Sequence, residues 1–106
     1  MHSRVTLLEL DPVRFDLDAT LERFRAEVLP GLRELDGYEG ALVLVNPEGP
    51  GLILSLWRDE QAMAAAGGFA TAAVERFATI FRAPPGREHY EVRVIDAPAA
   101  SLPWEA

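Results

Sequence analysis

The chain contains no cysteine and no lysine. Without cysteine there is no disulfide framework, no thiolate nucleophile and no thiolate metal site. Histidine is almost as scarce. His2 and His89 lie far apart, so a histidine-rich metal cluster would have to be completed by distant carboxylates. Neither a metal nor a cofactor is expected. Positive charge is also thin, with ten basic residues against seventeen acidic ones and a net charge of -7. Such a surface repels phosphate backbones and anionic lipid heads, so nucleic acid and membrane are not expected as partners. No apolar run approaches the ~20 residues that cross a bilayer. The opening segment Met1-His2-Ser3-Arg4 passes into a run containing Glu9, which is no signal peptide. A cytoplasmic protein is the expectation.

Familiar catalytic loops are missing too. Gly49-Pro50-Gly51 precedes an extended run rather than a helix, so no helix dipole would meet a phosphate there. Ser3, Ser55 and Ser101 stand outside any nucleophile-elbow pattern. There are no solenoid repeats, low-complexity tracts or interdomain linkers.

What remains is a chain of 106 residues, 49% hydrophobic and 25% charged, which has room for one domain spanning residues 1–106. The run Arg4 to Leu10 reads as a first strand closed by Asp11-Pro12. Asp18 is positioned to cap a helix reaching about Glu34. Leu17, Leu21, Phe24, Val28, Leu32 and Leu35 form its apolar stripe. Pro30 should kink or break it. Two apolar runs, Ala41 to Val45 and Leu52 to Trp57, flank a Pro/Gly-rich turn and read as a hairpin. Asp59 should cap a short helix to Ala66. Gly67-Gly68 then separates it from a longer helix, Phe69 to Arg82, which Pro84-Pro85-Gly86 stops. His89 to Ile95 alternates as a last strand, and residues 96–106 form a tail or arm.

Strand, helix, strand, strand, helix, strand closes most naturally as an α+β, ferredoxin-like βαββαβ domain with a four-stranded antiparallel sheet and both helices on one face. The middle strands are apolar on both sides: Leu52, Leu54 and Leu56 point one way, Ile53 and Trp57 the other. A sheet with one wetted face should alternate apolar with polar residues. Each Val, Ile or Leu left in water forfeits roughly 1.5–3 kcal/mol. A second copy, sheet facing sheet, is therefore the expected partner, enclosing a cavity between the two sheets.

The pattern Gly37-Tyr38-Glu39-Gly40 ahead of a strand, then Leu54 to Met63 across a strand-to-helix junction, resembles the antibiotic biosynthesis monooxygenase domain family. The likeness covers nearly the whole chain and implies a dimeric α/β barrel. That family includes cofactor-independent quinone-forming monooxygenases and haem-degrading enzymes. Trp57 corresponds to the aromatic that ends the third strand in many members. The haem-degrading type places a further Trp where this chain has Ala66, and a His near Val74 or Arg76. The polyketide-oxidising type pairs the strand Trp with an Asn where this chain has Ile53. The haem-degrading residues are thus absent.

Strand alternation supplies a candidate site. Ser55 shares a face with Ile53 and Trp57, and the polar face of the last strand carries His89, Glu91 and Arg93. Joined by Thr6, these would line the cavity. Trp57 would stack a planar ligand, Arg93 would hold an enolate or carboxylate, and His89 would move protons. The ordinary readings stand beside these. Trp57 is also a natural core or interface aromatic, Glu91 and Arg93 a solvated pair, His89 a loop-side residue, and Ser55 a relief of packing between sheets. Two functions follow: a cofactor-independent monooxygenase of a small aromatic or polyketide-like compound, or a non-catalytic dimer that binds a small molecule. Both need a closed apolar cavity of a few hundred Å³. A third possibility, an interaction module with a filled interior, has none.

Overall fold

A computed structural model describes residues 1–11, 13, 16–78, 81 and 85–96. The expected strand closure at Pro12, the stop at Pro84 and the tail from residue 97, including Trp104, lie outside the described residues; the last helix, expected to reach Arg82, ends at Arg76 with Phe77 as its cap.

Elements run β1 (His2–Glu9), α1 (Leu17–Glu27), α2 (Leu29–Arg33), β2 (Tyr38–Val45), β3 (Pro50–Trp57), α3 (Glu60–Ala65), α4 (Gly67–Arg76) and β4 (Gly86–Glu91). The strands form one antiparallel sheet in the order β2-β3-β1-β4. This is the ferredoxin-like arrangement expected from the element order. No described helix is long and apolar enough to cross a membrane.

Local chemistry accounts for most boundaries. α1 is capped by Asp16, not Asp18: the Asp16 carboxylate accepts from the Ala19 amide at 3.1 Å, which places Asp18 inside the first turn. The break expected near Pro30 falls at Val28, and Pro30 sits in the first turn of α2, where its missing N–H costs no helical bond. Asp59 caps α3 as expected, accepting from the Ala62 amide at 2.8 Å. Gly67 and Gly68 open α4 instead of preceding it. In a first turn, glycine interrupts little.

Gly37 is a different case. Its φ is 80°, and a Cβ there would collide with the Ala62 methyl of α3. Only glycine lets the chain turn into β2 while α3 packs this closely. The hairpin loop is tightened by Asn46, whose side chain accepts from the Glu48 amide at 2.9 Å.

β4 differs from expectation. It spans Gly86–Glu91, whereas alternation had suggested His89 to Ile95. The reason is the ladder. His2 at the start of β1 pairs with Glu91, so beyond Glu91 little of β1 remains to pair with; only the Val92 amide finds an acceptor, the Met1 carbonyl at 2.9 Å. Val94 and Ile95 are accordingly exposed.

The core lies between the helices and one sheet face. Val28, Leu32, Trp57, Ala62, Met63, Ala66 and Phe77 are buried together. The opposite face carries Val5, Leu7, Leu42, Leu44, Leu52, Leu54 and Leu56, which register places side by side. Leu7 and Leu44 on it are 40% and 54% exposed. No described element of the chain covers this face.

Candidate functional site

A cavity of about 100 Å³, partly open to solvent, lies between the sheet and the helices of the single chain. Its floor is made by β1 and β3, from Arg4, Thr6, Ile53, Ser55 and Trp57. Phe24, Phe69 and Phe77 of the helical layer close over it. This void lies on the helix side of the sheet, not on the outer face where a second copy is expected to enclose one, and it is smaller and more open than the chamber expected there. Both faces of the hairpin are apolar, so alternation could pair Ser55 with Trp57 but could not say which face the helices take. They take this one.

Period-two alternation explains the floor. In β3, Ile53, Ser55 and Trp57 point inward, and in β1 Arg4, Thr6 and Leu8 do the same, with Arg4 opposite Ser55 and Thr6 opposite Ile53. Trp57 is 1% exposed. Its Nε1–H donates to Ser55 Oγ at 2.9 Å. Tyr38 meets it edge-on, with ring centroids 5.6 Å apart and planes at 71°. Burial raises the Tyr38 phenol above its usual range, and nearby Arg33 opposes the shift. The indole is thus locked from two sides. That rigidity suits a wall against which a ring could stack.

Of the seven residues read from sequence, the structure brings together Thr6, Ile53, Ser55 and Trp57. The other three do not line the cavity. His89 and Glu91 pair with Arg4 and His2 respectively, so they share the helix-side face, but they lie on the exposed edge strand. Arg93 lies past the end of β4 and reaches back to Glu91 at 3.3 Å, with both side chains largely in water. It is a solvated pair. The ladder ends at Glu91, so register does not hold Arg93 on the sheet face, and it is not among the residues that line the cavity.

Arg4 is the residue that sequence reading overlooked. It is 6% exposed, lines the cavity, and donates from Nη2 to the Met63 carbonyl at 3.1 Å. Its Nε is buried without an acceptor. Burial, and then the charge of Arg87, holds its pKa below the usual arginine range. The available signal was its place on the same strand face as Thr6 and Leu8. His2 also has a buried ring nitrogen, Nδ1, with no partner; register sets it opposite Trp57. Among the described residues, no cluster of three His, Cys, Asp or Glu is placed to hold a metal.

No family model matches the sequence, and no curated protein matches it. Solved structures do. A protein of unknown function from Nitrosomonas europaea superposes with a TM-score of 0.71 at 24% identity, covering 92% of this chain and 94% of that one. A monooxygenase from Streptomyces coelicolor, solved in complex with nanaomycin D, gives 0.69 at 19% identity, covering 92% of each chain. SnoaB, a cofactor-independent oxygenase from Streptomyces nogalater, gives 0.67 at 14% identity, covering 89% of this chain and 94% of that one. The fold is that of antibiotic biosynthesis monooxygenase-type proteins, as the resemblance in Gly37 to Gly40 and Leu54 to Met63 implies.

Proposed function

We propose that the protein is a cofactor-independent, monooxygenase-like protein that takes a small aromatic compound into the cavity beneath its helices. The observation that carries this reading is a strongly apolar void walled by Trp57 and the phenylalanines, with Arg4, Thr6 and Ser55 among the residues that line it. A planar ring stacked on the indole would present its oxygen substituents to those three residues. Likeness of fold to oxygenases, one of them solved with nanaomycin D, adds support. The chemistry needs no added reductant. When a substrate methylene becomes a carbonyl with O2, the substrate supplies all four electrons and the second oxygen leaves as water.

The test is incubation of purified protein with a panel of monocyclic and fused aromatic polyols under oxygen, following quinone absorbance. Turnover should occur and fall in Trp57→Phe. Absence of turnover across the panel would reject catalysis.

A second reading is a non-catalytic binder, favoured by one observation. The Ser55 hydroxyl is already engaged by Trp57, and His89 and Arg93 stand outside the cavity. This reading expects ligands to raise thermal stability with no product formed.

The same proposal includes a homodimer built on the outer sheet face. The described helices all serve the inner face, while Leu42, Leu44, Leu52, Leu54 and Leu56 form a continuous apolar surface on the outer one. A second copy supplies the same apolar chemistry and would cover it sheet to sheet.

A further inference from the structure

We infer that Arg4 makes this cavity selective for small planar organic anions, a carboxylate or enolate borne on a single ring, over their neutral isosteres. The inference rests on the proposed cavity reading and adds the ligand's charge and size.

Arginine is almost never fully buried unless it is paired. Arg23, Arg25, Arg58 and Arg93 of this chain follow that habit, each holding a carboxylate at the surface. Arg4 does not. It is 6% exposed, and among the described residues no carboxylate pairs with it. A guanidinium has five N–H donors, and Arg4 has one protein acceptor, the Met63 carbonyl. Its Nε–H is buried with nothing to accept it. An unpaired buried donor and an unneutralised buried charge are both costly, and a ligand oxyanion would satisfy both at once. The surroundings point the same way. Register places Ser55 and His89 on either side of Arg4, with Arg87 one pair further along opposite Thr6. Arg87 adds a second cation on this face, and the carboxylate on the same face, Glu91, sits opposite His2 and is engaged by Arg93.

Size narrows the class further. A void of roughly 150 Å³ admits benzene, and this one is about 100 Å³, so a single ring is the upper limit and part of it would occupy the opening to solvent. A fused tricycle would need the helical layer to move away from the sheet.

The bond from Arg4 to Met63 also ties β1 to α3, so Arg4 has a structural use. A purely structural role would affect stability and leave ligand preference untouched.

The experiment is isothermal titration of the full chain with benzoate and with benzamide, planar isosteres that differ in charge. The wild type should bind benzoate about tenfold or more tightly than benzamide, the size of a charge-assisted hydrogen bond. In Arg4→Gln the ratio should fall to about one, while Arg4→Lys should keep part of it. If Arg4→Gln does not fold, the wild-type ratio is measured again in about 0.5 M NaCl, where surface attraction is screened but a buried pair is not. Persistence supports the inference, and collapse of the ratio to one overturns it. Equal binding of both ligands by the wild type overturns the anion preference and leaves the cavity reading standing. Binding of neither overturns both.

Discussion

Replacing Trp57 by Phe tests how the cavity wall is held. Phenylalanine keeps an aromatic ring against Tyr38 but removes the pyrrole edge and the Nε1–H that donates to Ser55 Oγ at 2.9 Å. Trp57 is 1% exposed but lines the cavity, so the space it vacates adds to that cavity. A lost volume of roughly 40 Å³ at ~24 cal/mol per Å³ costs about 1 kcal/mol. The lost hydrogen bond adds about 1 kcal/mol. The sum of about 2 kcal/mol should lower Tm by roughly 10 °C in a domain this small. Ser55→Ala removes the same bond from the other side and leaves the indole N–H unsatisfied, which costs ~1–3 kcal/mol. Because both single variants remove one shared bond, the double variant should be more stable than the sum predicts by about 1 kcal/mol. Urea denaturation of the four proteins, read by far-ultraviolet circular dichroism, measures this directly. Strict additivity, within ~0.3 kcal/mol, would refute the argument that the Ser55–Trp57 bond fixes the indole.

Asp16→Ala should lower stability by about 1 kcal/mol through loss of the α1 cap, whereas Asp18→Ala should change it little; urea midpoints of the two variants check the assignment. Leu54→Asp on the outer sheet face should shift the molar mass in light scattering from two chains to one without abolishing fluorescence from buried Trp57. Stability should also decline in acid. Hydrogen bonds from Arg23, from Arg58 and from the Ala62 amide respectively hold Glu27, Asp36 and Asp59 below the usual carboxylate range. Groups with depressed folded-state values stabilise above their unfolded pKa of about 4 and lose that contribution as pH falls through the folded values. The urea midpoint should therefore change little between pH 7 and 5 and drop below about pH 4. A midpoint that rises on acidification would contradict the three assignments.

The architecture was legible because it depends on local signals that the sequence carries openly. Asp59 before an apolar run and the Asn46 to Pro50 turn each have one physical reading, and each acts as read, while Pro30 marks the break two residues late. Strand alternation likewise grouped Thr6, Ile53, Ser55 and Trp57 correctly. It failed where the outcome is set at a distance. Arg93 alternates as well as Glu91 does, but β1 runs out at His2, so the ladder ends at Glu91 and Arg93 is left in water. The choice of helix-covered face was also hidden, since Ile53 and Leu54 are equally apolar. Arg4 was missed because a charge near a chain start reads as solvated, and only the cross-strand partner Ser55 and the overlying α3 show it to be buried.

Ligand should enter between the sheet and the helices of one chain, against Trp57. The most direct measurement is a ¹H–¹⁵N spectrum of the backbone amides and the Trp57 indole N–H during titration with a monocyclic aromatic acid. Saturable movement of the Trp57 indole signal, with the outer-face amides unmoved, is the predicted result. Binding that leaves the Trp57 signal in place, with shifts confined to Leu44, Leu54 and their neighbours on the outer face, would contradict it.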